Sequence, residues 1–365
     1  MRAWFGRHLL RLWLATTTPK CQIAIDTTNA RVKFCSSKSV ELKNIVKRVK
    51  PFGRVVIDVP YHVEVKPTCP HEYPDMDTVL VKLVSQDSFG DKREDLVTVN
   101  VTDELCEIKG KEEEFLGNGR CLVQTPVRYD VDIKTVGDAN VEVHNMISDF
   151  ITVQTEFGSI VGSKLQGKKI SLSSSEGGSV TVHKSIQGEI EINTAKDGCV
   201  DAEKCLGTKL DISTENGSVK LGSNYCEKAT FTTLDGDLNL SNLHMDNSID
   251  INGKGSLNIS CFDGSLQANL GEGSAKIQLA RVTDDSTITS NGDVSLTIPD
   301  SLDTKVVIKS PALEIDQCIK GTYDKDRKEF IGGRGATTFT VESTKRVQVR
   351  QSSWMDTFKL QNTPK

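Results

Sequence analysis

From about residue 129 to residue 309 the apolar positions fall into short alternating pairs. One set reads Ile151/Val153, Ile170/Leu172, Ile190/Ile192 and Leu210/Ile212; a second reads Val180/Val182, Val219/Leu221, Leu238/Leu240, Leu257/Ile259 and Val294/Leu296. A period of two buries one face of a strand and leaves the other in water. A single apolar position follows each second pair: Leu165, Ile186, Leu206, Tyr225, Leu243, Phe262, Val282 and Leu302. One glycine marks each unit, from Gly137 through Gly158, Gly178, Gly198, Gly217, Gly236, Gly255 and Gly273 to Gly292, at steps of 18 to 21 residues. Three short faces in about 19 residues are too few for a strand–helix–strand unit of about 30, and make one coil of a stack. The pattern predicts an all-β fold, a β-solenoid (a parallel β-helix-like stack) of about nine coils, roughly 40 Å long at the inter-strand spacing of ~4.8 Å.

The glycine is commonly preceded by a turn residue (Asp197, Asn216, Asp235, Asn291). Such N-G and D-G corners call for positive φ, which glycine adopts without a Cβ clash, so Gly217 is expected in that conformation. A hydroxyl three residues upstream (Thr155, Ser175, Thr214, Thr233, Thr289) is placed to bond the bend or stack on its neighbours. The phrases TENGSVKL, TLDGDLNL and TSNGDVSLTI resemble the "putative adhesin" domain of unknown function, found in many bacterial and some eukaryotic proteins. The resemblance covers about residues 129–310, and the whole chain is most similar to a eukaryotic member of that family. It implies a β-solenoid and carries over no activity and no catalytic residue.

The flanks lose the glycine period. Residues 1–20 read as a targeting segment, 21–125 as a β-rich N-terminal capping region, 126–310 as the solenoid and 311–365 as C-terminal capping strands. Strand-like runs in the leading region are Arg54–Val59, Thr78–Val84 and Leu96–Val101; in the tail they are Thr338–Val341 and Val347–Val349, with Trp354 and Phe358 available to plug the last coil. Caps are needed because open ends of a stack invite edge-to-edge association.

The opening MRAWFGRHLLRLWLATTTPK places Phe5, Leu9, Leu12 and Trp13 on one side of a helix and Arg7 and Arg11 on the other, without an acid. That is the pattern of a mitochondrial presequence; a secretory signal, the alternative, needs an apolar stretch that Arg11 interrupts. No later apolar run reaches the ~20 residues of a membrane-spanning helix. Removing the four basic residues of this segment turns the formal charge of −5 into −9 for the rest. An acidic body lacks the positive field that phosphate backbones require, which argues against nucleic acid. The ten cysteines are dispersed with no C-x-x-C, which points to free structural thiols and neither a zinc ribbon nor a redox pair.

Candidate chemistry is thin. Gly162–Lys169 (GSKLQGKK) lacks the Ser or Thr a phosphate loop needs after its lysine and reads as a coil corner. Cys69, His71 and Glu72 lie among prolines without a spaced partner pair, so no metal or cofactor is expected. Asp237 and Asp293 occupy equivalent places three coils apart, roughly 14 Å, beyond the 5–10 Å of paired glycosidase carboxyls. Asp284 and Asp285 read as turn residues. His144, His183 and His244 stand at different distances from their glycines, without a shared column or evident partner. One surface feature is periodic: Lys164, Lys184 and Lys204 recur at equal steps of 20, with Lys168, Lys169 and Lys209 close by. Its plainer reading is a solubilising edge. Its functional reading is a contact surface, formed by Lys164, Lys168, Lys184 and Lys204, for an unknown acidic protein or an acidic lipid surface. The residues support a non-catalytic binding or scaffold protein, with mitochondria as its expected setting. The alternatives are a carbohydrate-active β-helix enzyme and a secreted or surface adhesin.

Overall fold

A computed structural model describes residues 40–85, 96–110 and 119–352. The N-terminal targeting segment and Trp354 and Phe358 lie outside the described residues. Among the described residues every regular element is a strand, so no helix is present that could cross a membrane. The centre consists of six long strands, Ile160–Ser174, Val180–Thr194, Val200–Thr214, Val219–Thr233, Leu238–Ile251 and Leu257–Leu270, each parallel to the next. Each bends twice and so supplies three faces of one rung. A post-glycine face (Ile160–Ser163 in the first) turns at one corner into a short face (Leu165, Gln166). A second, return corner leads to the pre-glycine face (Lys169–Ser174).

Stacking in register lines up like with like. The post-glycine core column runs Val141, Ile160, Val180, Val200, Val219, Leu238, Leu257, Ala275, Val294 and Val347, all buried. The short-face column departs from the sequence pattern at two rungs. Leu165 and Ile186 are followed by Cys205 and Asn224, then Leu243, Phe262 and Leu279. Leu206 is half-buried and Tyr225 faces solvent. The corner before this face takes three positions in the rungs of Leu165 (from Gly162), Cys205 (from Ala202) and Asn224 (from Leu221), and four only in that of Ile186 (from Val182). Leu206 and Tyr225 stand four positions after Ala202 and Leu221, one past the inward residue, and a shift of one residue changes the face.

The glycine corner is also not the one expected. Gly217 is outside the positive-φ region, whereas Gly137 (φ 63°) is inside it. A Cβ on Gly217 would stand less than 3.0 Å from the carbonyl of Gly198, and one on Gly198 would stand 2.6 Å from the carbonyl of Gly178. The corner glycines recur because successive backbones touch there. Beneath them runs a column of buried hydroxyls, Thr155, Ser174, Thr194, Thr214 and Thr233, resumed at Ser290 and Ser343 after Ile251 and Leu270. Thr155 and Thr194 donate to the carbonyls of Gly158 and Gly198 (both 2.6 Å), and Ser290 accepts from the Gly292 amide (3.0 Å). The expected Ser175 and Thr289 are exposed, displaced by turns that differ in length by one residue.

The parallel stack extends past the glycine-marked region at both ends. Arg54–Asp58 and His62–Pro67 stack in parallel on Asp130–Lys134 and Val141–His144, pairing Val55 with Val131 and Val63 with Val141. Leu105–Gly110 and Arg120–Thr125 add the next rung outward. At the other end Thr338–Ser343 and Arg346–Ser352 lie between the rung of Ser286–Ser290 and that of Lys305–Lys309. Antiparallel strands close the N-terminal end, with Val40–Arg48 and Arg120–Thr125 both on Thr78–Ser85 and Val97–Val101 on Leu105–Gly110. Glu329–Gly332 and Gly321–Asp324 close the C-terminal end.

Candidate functional site

The corner between post-glycine and short faces carries the lysines. Register pairs His144 with Ser163 and Ser163 with His183, so the following residues, Asn145, Lys164 and Lys184, share one corner of successive rungs. All three are left-handed, with φ of 55°, 51° and 67°. For an L-residue other than Gly or Asn this conformation costs about 1 kcal/mol. Lys164 and Lys184 are exposed, and neither ammonium has a carboxylate within ion-pair distance among the described residues. Lys204, on the next rung, lacks the left-handed turn; its Nζ lies 5.2 Å from the centre of the Tyr225 ring.

The corner is not purely basic. Glu203 accepts the Lys184 backbone N–H (2.8 Å) and faces His183 Nδ1 (3.3 Å). The Lys184 N–H foremost, and then His183, hold its carboxyl below the usual range. Lys168 is set apart from the three lysines. It stands at the return corner and donates to Asp149 (2.7 Å), a bond that raises its pKa. Lys169 pairs with Glu191 (3.7 Å) and Lys209 with Asp211.

Beside Lys204 the outward positions of the short face form a ladder the sequence reading missed. Tyr225 stacks on His244 (ring centroids 4.7 Å apart, planes 12° apart). His244 Nδ1 faces Asp263 (3.6 Å), and Arg281 grips both oxygens of Asp263 (2.6 and 3.2 Å). These side chains, with Met245 and Thr283, line a depression of about 210 Å³. Tyr225 points out because Asn224 and Cys226 on either side point in. Asn224 is bonded to the Cys226 amide (3.1 Å) and to buried Asn247 (3.4 Å). The Asn-Tyr-Cys alternation was the available signal; ranking residues by hydrophobicity alone placed the tyrosine inside.

The other candidates have structural duties. Asp237 accepts the amide and hydroxyl of Ser256 on the next rung (2.8 and 2.6 Å), and Asp293 accepts the Arg346 amide (3.2 Å). Asp284 caps Asp285 (2.8 Å), and Asp285 caps Thr338 (2.7 Å). Gly162–Lys169 lies within one strand. Cys69 accepts from the Glu72 and Tyr73 amides in a turn (3.1 and 2.9 Å). No group of described residues has the arrangement of a metal site. The histidines differ from expectation. His144 and His183 do share a column, two rungs apart, because the turn after Gly137 is longer than later ones. His144 also has a carboxylate partner, Glu142, at 3.4 Å. His62 Nδ1 accepts the Asn140 amide (3.0 Å); burial foremost, and then Arg120, lower its pKa. Burial pushes the thiols of Cys121 and Cys226 up to about 12.

Residues 179–344 match the family described as Toastrack DUF4097. Among solved structures the chain is similar to a "putative adhesin" from Parabacteroides merdae, with 10% identity over 83% of this chain and 96% of that one and a TM-score of 0.38. A second "putative adhesin", from Parabacteroides distasonis, gives 9% identity over 84% and 96% with a TM-score of 0.40. A "putative lipid binding protein" from the same organism gives 10% over 84% and 96% with a TM-score of 0.36.

Proposed function

We propose that this chain is a non-catalytic binding protein, a eukaryotic member of the family its repeats resemble, that uses the corner of Lys164, Lys184 and Lys204 to hold an anionic partner. One observation carries the reading. Lys164 and Lys184 occupy a strained left-handed corner, exposed and without an ion pair, where Asn145 one rung earlier is the more comfortable residue type. A solubilising charge needs no such position, since the neighbouring strand residues accept lysine without backbone cost. Three ammonium groups on consecutive rungs, about 5 Å apart along the axis, gain most from a surface that offers repeated negative charge. The basic, acid-free start supports mitochondria as the setting. Lys168, neutralised by Asp149 at another corner, is left out of this surface.

The test compares wild type with the triple variant Lys164→Gln, Lys184→Gln, Lys204→Gln on immobilised polyglutamate and on acidic vesicles, at low and high salt. Wild type should be retained at low salt on at least one of these and released at high salt, while the variant folds as well and is not retained. Equal retention of the two proteins on both supports would leave the corner as a solubilising edge.

A further inference from the structure

The lysine corner ends on an apolar step. Tyr225, on the short face, and Met245, at the return corner, are 46% and 55% exposed on the rungs directly after Lys204, and share one shallow depression. Both are held outward. Tyr225 is fixed between the Lys204 ammonium and the His244 ring, and Met245 sits in a left-handed turn (φ 63°) whose carbonyl accepts from buried Asn247 (2.9 Å). Arg281, at the far side of the depression, is neutralised by Asp263, so cationic character gives way to amphipathic character within a few rungs.

From this juxtaposition we infer that the anionic partner is a bilayer containing acidic lipid. Lys164, Lys184 and Lys204 engage its headgroups while Tyr225 and Met245 enter the interface. The inference rests on the binding role proposed above and names the partner. Three arguments favour a membrane over an acidic protein. The lysines stand on an outward corner and offer unforked point charges, which suit a deformable planar array of anions better than one shaped carboxylate. A tyrosine with an apolar ring and a polar tip, with the Lys204 ammonium beside that ring, matches the chemistry of a headgroup boundary. A thioether side chain more than half exposed adds apolar area that a purely electrostatic contact would not use.

The experiment is flotation of the full chain with phosphatidylcholine vesicles, with and without phosphatidylglycerol, alongside retention on polyglutamate. Wild type should float only with the acidic vesicles. The triple lysine variant should partition roughly a hundredfold less well. The double variant Tyr225→Ser, Met245→Ser, with its fold checked by circular dichroism, should lose roughly tenfold on vesicles. It should show an unchanged salt profile on polyglutamate. Wild type that holds polyglutamate through the lysines but does not float would overturn the membrane assignment and leave the binding role standing, with an acidic protein as partner. Flotation of the serine variant equal to wild type would also overturn it. If the lysine variant matches wild type in every arm, the binding role itself fails.

Discussion

Replacing Gly217 by alanine tests why the coil needs glycine. The new methyl would fall under 3.0 Å from the Gly198 carbonyl and at 3.0 Å from the Cys199 nitrogen, all backbone of the preceding rung. No side chain can rotate away, so the two rungs must part by about 1 Å at this corner. Two hydrogen bonds join these rungs beside it: Asn216 N–H to Lys196 O (2.8 Å) and Val200 N–H to Ser218 O (2.9 Å). Weakening both at about 1 kcal/mol each, with residual repulsion, gives a loss of about 2–3 kcal/mol. Gly137→Ala is the control. It has positive φ but nothing within 4 Å of the new Cβ, so only the left-handed penalty of about 1 kcal/mol applies. The assay is urea unfolding followed by far-UV circular dichroism for both variants. If Gly137→Ala costs as much as Gly217→Ala or more, backbone conformation and not rung contact selects these glycines, and the explanation is refuted.

Two further outcomes follow from the corner and the first rungs. Lys164→Asn, which repeats the Asn145 solution, should raise stability by about 0.5–1 kcal/mol while reducing retention on anionic supports; a loss of stability would show that the lysine is not strained. His62 is held with its folded pKa below the ordinary value, so the unfolded chain binds more protons between the two. Its contribution is complete above the unfolded pKa of about 6.5 and declines as pH falls toward the folded value. Urea midpoints should therefore drop from neutral pH to about pH 5, and His62→Gln should lessen that drop; an identical slope in the variant would remove His62 from the account.

The solenoid was legible because each rung is short and repeats its own alternation. The pairs Ile170/Leu172 and Val180/Val182 are buried where the period of two put them. What escaped the reading was set by turn length and chain order. Val55/Ile57 and Val63/Val65 have the same alternation as the repeat, but the chain places their rung between one formed by residues 105–125 and one formed by residues 130–144. Without a glycine period, sequence cannot say that such strands join the stack in parallel. Lys164, Lys184 and Lys204 take equivalent places on successive rungs, as counting expects; Lys168 is near them only in sequence, and a return corner separates it. The tyrosine ladder was hidden by a one-residue difference in corner length between the rung of Ile186 and those that follow, which leaves composition untouched and changes which side chains face water.

Because every column advances by one rung, positions along this molecule are quantised. Groups in one column are separated by whole multiples of ~4.8 Å, set by backbone hydrogen bonding and indifferent to side-chain identity. The chain is in this sense a ruler, with Asn145, Lys164, Lys184, Lys204 and Ser223 as successive graduations. Gain or loss of one 19-residue rung between two graduations would change their separation by one division and leave both sites intact. A protein built this way can revise the spacing of its contacts without redesigning the contacts themselves.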